Sequence, residues 1–145
     1  MKELKYSDAP HDWAICFQND CPLAKRCLRH AVARLAPAGL THHVTVLPTA
    51  REGDHCRLFA TAEPVKIARG MRRMLPRAAH GELQEVRKGL YAIFGSMPHY
   101  YRYRNGRYPI TPQQQQSVAA LFSRLGFKEP PRFDTTDEDF YFPMP

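Results

Sequence analysis

The segment Tyr100 to Ile110, YYRYRNGRYPI, decides how the chain is read. Asn105-Gly106 is a strong short-range signal for a two-residue hairpin turn, because such a turn needs positive φ at its central residues. A turn there pairs Arg104 with Arg107, Tyr103 with Tyr108 and Arg102 with Pro109. Side chains alternate between the two faces of a strand. Tyr101, Tyr103, Tyr108 and Ile110 then share a core face, while Tyr100, Arg102, Arg104 and Arg107 share the other. Arg104 directly opposite Arg107 is a like-charge pair, which costs a hairpin stability. The outer face is therefore expected to hold an anion, either a phosphate or the acidic tail of the chain itself.

The positive charge extends upstream. Residues 64–107 carry Lys66, Arg69, Arg72, Arg73, Arg77, Arg87, Lys88, Arg102, Arg104 and Arg107, opposed only by Glu82 and Glu85. Residues 63–75 read as a helix, with Thr61 as a cap, Pro64 early and Pro76 as a stop. Lys66, Arg69, Arg72 and Arg73 would form a cationic ridge on it, opposite Met71, Met74 and Leu75. Like charges at this spacing cost a lone helix about a few tenths of a kcal/mol per pair. A phosphate backbone turns that cost into affinity. The net charge of +7 points the same way, toward nucleic acid or an acidic protein surface. From Asp134 onward the tail reverses the sign, with Asp134, Asp137, Glu138 and Asp139 and no base. Its acids alternate with aromatics, and it is expected to pack back on the chain.

The N-terminal third carries a different chemistry. CFQNDCPLAKRC places Cys16, Cys21 and Cys27 within twelve residues, and Cys56 follows, a C-x4-C-x5-C-x28-C spacing. Four thiolates can supply a tetrahedral zinc site. The CxxC knuckle of most structural zinc sites is absent. Cys-Pro also occurs in iron–sulfur proteins, so an iron–sulfur cluster is an alternative. A third reading is four buried thiols with no metal. Cys21 at the start of a helix and Cys27 on it, beside Lys25 and Arg26, would ligate readily. His30 and His55 are possible substitutes for one thiolate. A metal here would staple the N-terminal arm to the first helix and the Cys56 loop. His42 and His43, adjacent on an extended segment, point to opposite faces and do not chelate one ion.

The remaining segments give a mainly α chain of α+β type, with about four helices, one β-hairpin near 99–110 and an N-terminal Cys-rich arm stapled by metal. The thirteen prolines favour short elements. Residues 23–35 form a helix, capped by Asn19 or Asp20, with Leu28, Val32 and Leu35 as its stripe. HHVTVLP is extended and TAREGDH is a loop. Residues 81–94 form a helix with Leu83, Val86, Leu90, Ile93 and Phe94 buried. The last helix starts at Thr111 with a capping box to Gln114 and Pro112 in its first turn. It buries Val118, Leu121, Phe122 and Leu125 and stops at Gly126. We read one domain over 1–145: an arm, first helix and loop to residue 60, a basic helical core over 61–126, and an acidic-aromatic tail over 127–145.

No nucleophile elbow, phosphate loop, HExxH or dinucleotide glycine pattern appears, and no catalytic residue is assigned. No apolar run reaches a membrane span's length, so a cytoplasmic protein without membrane contact is expected. NDCPLAKRCLRH and YYRYRNGRYPITPQQQQSVAALFSRLGF together resemble a family of small uncharacterised Bacteroidetes proteins, a domain of unknown function. The resemblance implies a bacterial, intracellular, single-domain protein and no particular activity. From the residues themselves, the expected function is a small metal-stabilised nucleic-acid-binding protein. Cys16, Cys21, Cys27 and Cys56 would hold zinc or an iron–sulfur cluster. Arg69, Arg72, Arg73, Arg102, Arg104 and Arg107 would contact phosphates, and Tyr100 would stack on a base. The alternatives are an adaptor that docks an acidic protein and a thiol or iron–sulfur redox protein.

Overall fold

A computed structural model describes residues 2–74 and 80–144. Leu75, Pro76 and Arg77, assigned above to the end of a basic helix and its flank, lie outside the described residues. The fold is an α+β mixture of four helices and two small antiparallel sheets among the described residues. It divides into two compact units. One comprises Met1–Pro64 with Asp139–Pro145, and the other Val65–Glu138.

The second unit contains the opening segment, and there the hairpin expectation fails. Residues Met97–Arg104 form a helix, α3. Ser96 caps it by accepting the His99 N–H, and Pro98 sits in the first turn. Asn105-Gly106 ends this helix instead of reversing a strand. Gly106 has φ +80°. The Arg107 N–H donates to the Arg102 carbonyl at 3.0 Å and the Gly106 N–H to the Tyr103 carbonyl at 3.1 Å. This pair of bonds is the Schellman closure of a helix, which needs a left-handed residue at the same place as a hairpin turn does. The helical period places Tyr100 in the core, 1% exposed, with its ring 5.3 Å from that of Tyr91.

The expected basic helix over 63–75 is likewise replaced. Val65–Arg69 is a strand, β3, with Ile67 and Ala68 buried. Its partners are distant in sequence. Ala68 and Ile110 exchange backbone hydrogen bonds at 3.1 and 2.8 Å, and Thr135–Asp139, β4, pairs beside it. Pairing on both sides outweighs helix propensity, and β-branched Val65 and Ile67 suit the result. Gly70, at φ +80°, ends the strand.

Two helices follow their local signals. His80–Phe94 is α2, with Val86, Leu90 and Phe94 buried. Pro112–Arg124 is α4, with the Thr111–Gln114 capping box in place. Its Gly126 makes a Schellman closure, with the Phe122 and Phe127 rings 5.1 Å apart across it. Helix α2 packs on α3 and α4 around a core of Ala68, Met71, Leu90, Tyr100, Ile110 and Val118. Gly89 lets α4 approach closely, since a Cβ there would run into the Leu121 side chain.

In the first unit the expected helix over 23–35 is split. A 3-10 turn at Ala24–Arg26 leads to Cys27, which is extended (φ −98°, ψ 123°), and then to α1, Leu28–Arg34. Tertiary hydrogen bonds force the break. Cys27 bridges to Thr61, the Leu28 N–H donates to Ala60 at 2.6 Å, and the Ala62 N–H donates to Arg26 at 2.9 Å. The segment read as a loop contains a two-stranded hairpin, β1 Arg51–Glu52 and β2 His55–Cys56, turning at Gly53 with φ +60°. The core of this unit is Trp13, Ile15, Leu28, Val32, Ala33 and Ala60, with Phe140 and Phe142 packed against it.

Candidate metal centre and arginine face

Each cysteine is placed by a different backbone device. The Cys16 N–H donates to the Arg29 carbonyl at 3.1 Å. Cys21 lies in a turn, where its carbonyl accepts the Ala24 N–H at 3.0 Å. Cys27 occupies the extended break before α1, not a helix as expected, and Cys56 ends the short hairpin. All four are free and half-buried, and all four line one cavity. The cavity offers about 20 Å³ to a water-sized sphere, room for about one such sphere. The sulfurs line its wall without being gathered on a point. Among the described residues, no three His, Cys, Asp or Glu are placed to hold a metal ion. Burial pushes the Cys16 thiol up. The Gln18 backbone opposes this, and the charges of Cys27, Cys21 and Cys56 add to it. His30 faces Asn19, ring nitrogen to Oδ1 at 2.9 Å, and His55 is exposed.

Arg29 belongs to the same cavity, and sequence reasoning missed it. It is 3% exposed. Its Nε donates to the Leu58 carbonyl and its Nη1 to Ala14, both at 2.6 Å, and the guanidinium lies 4.2 Å from the Trp13 ring centre. It has no carboxylate partner among the described residues. Burial lowers its pKa, while the charges of Cys27, Cys56 and Cys16 act in the opposite direction. Nothing in CLRH separates a buried arginine from a solvated one, so no sequence signal marks it. Arg51 also lines the cavity, with its Nε buried and lacking an acceptor among the described residues.

The second unit draws the two basic segments together. The Met71 N–H donates to the Arg104 carbonyl at 3.0 Å. Arg69 ends β3, Arg72 and Arg73 form the next turn, and Arg102, Arg104 and Arg107 belong to α3 and its closure. All but the half-buried Arg104 are exposed. None has an ion-pair partner among the described residues. Arg102 lies 6.0 Å from the Tyr108 ring centre and Arg104 lies 5.9 Å from that of Tyr101. Tyr100 does not join them. Its ring is buried, so it offers no stacking platform; Tyr101 and Tyr108 are the exposed rings beside the arginines.

One acid already reaches this turn. The Asp134 carboxylate accepts the backbone N–H groups of Arg72 at 3.3 Å and Arg73 at 3.4 Å. Successive amides in a turn make a concave anion site, and the chain fills this one itself. The acidic run of the tail marked this residue only as one among four. The two adjacent histidines share no ligand: the Nδ1 of His42 meets the Thr41 hydroxyl and that of His43 the Val44 carbonyl, each at 2.9 Å. Among the described residues, no helix is long and apolar enough to cross a membrane.

No curated protein and no solved structure matches the chain. The model of one family does, over residues 1–142, nearly the whole chain. The chain therefore belongs to that family, DUF6078, described as a family of unknown function.

Proposed function

We propose that this protein binds nucleic acid through the arginine face of its second unit, and that a metal ion held by Cys16, Cys21, Cys27 and Cys56 stabilises its first unit in the reducing cytoplasm. The observation that carries the binding reading is the Met71–Arg104 hydrogen bond. It joins two segments some 30 residues apart into one surface of exposed arginines without ion-pair partners among the described residues. Guanidinium groups suit phosphate oxygens by charge and by fork geometry. Tyr101 and Tyr108 replace Tyr100 as the candidate stacking rings.

Binding of fluorescent single-stranded RNA and DNA oligonucleotides across a salt series tests this. About four phosphate contacts give a slope of log K against log salt near −3 on single strands. An affinity that stays flat with salt rejects phosphate contact. A second reading, docking of an acidic protein segment, is favoured by Asp134, because a carboxylate already sits on the Arg72 and Arg73 amides. It predicts that an acidic peptide binds where oligonucleotides do not.

A further inference from the structure

We infer that the ligand of the arginine face is a single strand of nucleic acid, whose bases stack on Tyr101 and Tyr108 and whose phosphates reach Arg87 on α2 as well as the arginines of α3. This rests on the nucleic-acid reading proposed above and adds to it the class of ligand and one further contact.

The two exposed rings carry the inference. Tyr101 is 38% exposed and Tyr108 is 37% exposed, yet neither ring stands alone. The Tyr101 ring centre lies 5.2 Å from that of Tyr100, which is buried. Tyr108 meets Tyr103 edge-on at 5.4 Å, and Tyr103 in turn lies 4.5 Å from buried Phe94. Each exposed ring is therefore braced by an aromatic rooted in the core. An arginine also stands beside each, Arg104 at 5.9 Å from Tyr101 and Arg102 at 6.0 Å from Tyr108. The same unit, a core ring, an exposed ring and a guanidinium, thus occurs twice along α3 and its closure. A ring already held in place loses little freedom when a base settles on it. Every base has a π-face, and a cation beside the ring meets the phosphate that follows it.

Other anions do not use both parts of this unit. In a duplex the bases cover one another, and the grooves offer base edges and phosphates. The two rings would find no base face there. An acidic peptide supplies the charge without a ring to stack.

The seam between α2 and α3 extends the path. Arg87 and Tyr91 are four residues apart and share one face of α2. The Tyr91 ring lies 5.3 Å from that of Tyr100, and the Tyr91 and Tyr101 phenols share a hydrogen bond. The charges of Arg87 and Arg104 both act on the Tyr100 phenol. Arg87 is exposed and has no ion-pair partner among the described residues. It adds a second cation beside the Tyr101 platform.

Anisotropy titrations of the full chain test the inference, with RNA and DNA single strands about 12 nucleotides long, their duplexes, and abasic strands of the same length. An abasic strand keeps the phosphates and lacks the bases. At physiological salt the intact single strand should bind about tenfold or more tighter than either the duplex or the abasic strand. Tyr101→Ala and Tyr108→Ala should each weaken it by roughly 5–150-fold, the range of one lost stacking contact, and leave the salt slope unchanged. Tyr101→Phe and Tyr108→Phe, which keep the rings, should bind like wild type. Arg87→Gln should make the salt slope shallower by roughly 0.7. No binding of any of these ligands by wild-type protein overturns the nucleic-acid reading itself. Salt-dependent binding in which the duplex or the abasic strand equals the intact strand leaves phosphate contact standing and overturns the single-strand inference. Alanine variants that bind like wild type overturn it as well, and an unchanged slope in Arg87→Gln overturns the contact on α2. Should an alanine variant not fold, the abasic strand decides with wild-type protein alone.

Discussion

The backbone N–H of Asp134 donates to the carbonyl of Gly70 at 2.9 Å, and the Asp134 side chain fills the space where a Cβ on Gly70 would stand. This one contact ties the acidic tail to the turn that carries Arg72 and Arg73. Gly70 also has φ +80°, so alanine there meets both a disfavoured backbone and a collision. Gly70→Ala should cost at least about 2 kcal/mol in urea denaturation. Gly53→Ala, with φ +60° and open space around it, should cost only the backbone part, about 1 kcal/mol. Equal costs at the two glycines would show that Asp134 does not confine Gly70.

Removing the carboxylate should expose the Arg72 and Arg73 amides to an outside anion. Asp134→Ala is expected to tighten oligonucleotide binding roughly two- to fivefold, the factor that about 0.4–1 kcal/mol of exposed charge interaction provides. The point variant is cleaner than deletion of the tail, because Phe142 stacks edge-on to Trp13 at 5.0 Å and the Pro143 carbonyl accepts the Trp13 indole N–H at 2.8 Å. Unchanged affinity in anisotropy titrations would mean that Asp134 and the ligand do not compete.

Helix termini supply a third prediction. Gly106→Ala should destabilise by about 1–2 kcal/mol, since the closure of α3 needs a left-handed residue there. Thr111→Ala should cost about 1 kcal/mol by removing the cap of α4. Thermal or urea unfolding measures both. A neutral Gly106→Ala would argue for a different end to α3.

These termini also show what sequence carries. The α4 helix is legible because its cap, first-turn proline and closing glycine lie within its own 16 residues or so. Helix α3 is not, because Asn105-Gly106 satisfies a hairpin turn and a helix closure equally well; Ser96 and Pro98 were the deciding residues. Strand β3 escapes notice because its partners, Ile110 and Thr135–Asp139, lie some 40 and 70 residues downstream. The break at Cys27 has the same origin, a pairing with Thr61. At the sites, residue type was the readable part: four cysteines do line one cavity and the two arginine segments do meet. Arg29 and Asp134 were not singled out, because their roles depend on burial and on neighbours that the chain brings together only on folding.

Tyr100 gives a pH signature. Burial raises its phenol above the ordinary value of 10.0, with Arg104 opposing and Tyr101 and Tyr91 adding to the rise. The unfolded chain therefore ionises first as pH rises. The stability that Tyr100 confers is complete below about pH 10 and is lost as pH climbs through the folded-state ionisation. Urea midpoints measured from pH 8 to 11 should fall above pH 10, and Tyr100→Phe should flatten that fall. A variant with the same slope as wild type would place the ionisation elsewhere.

The most direct test of the account is the salt dependence of oligonucleotide binding by wild-type protein and by an Arg72→Gln/Arg107→Gln double variant. The two arginines come from the separate segments that meet at Met71 and Arg104. The account predicts salt-dependent binding by the wild type and, on single strands, a slope shallower by roughly 0.7 for each phosphate-contacting arginine removed. Absence of wild-type binding, or identical slopes in the two proteins, would contradict it.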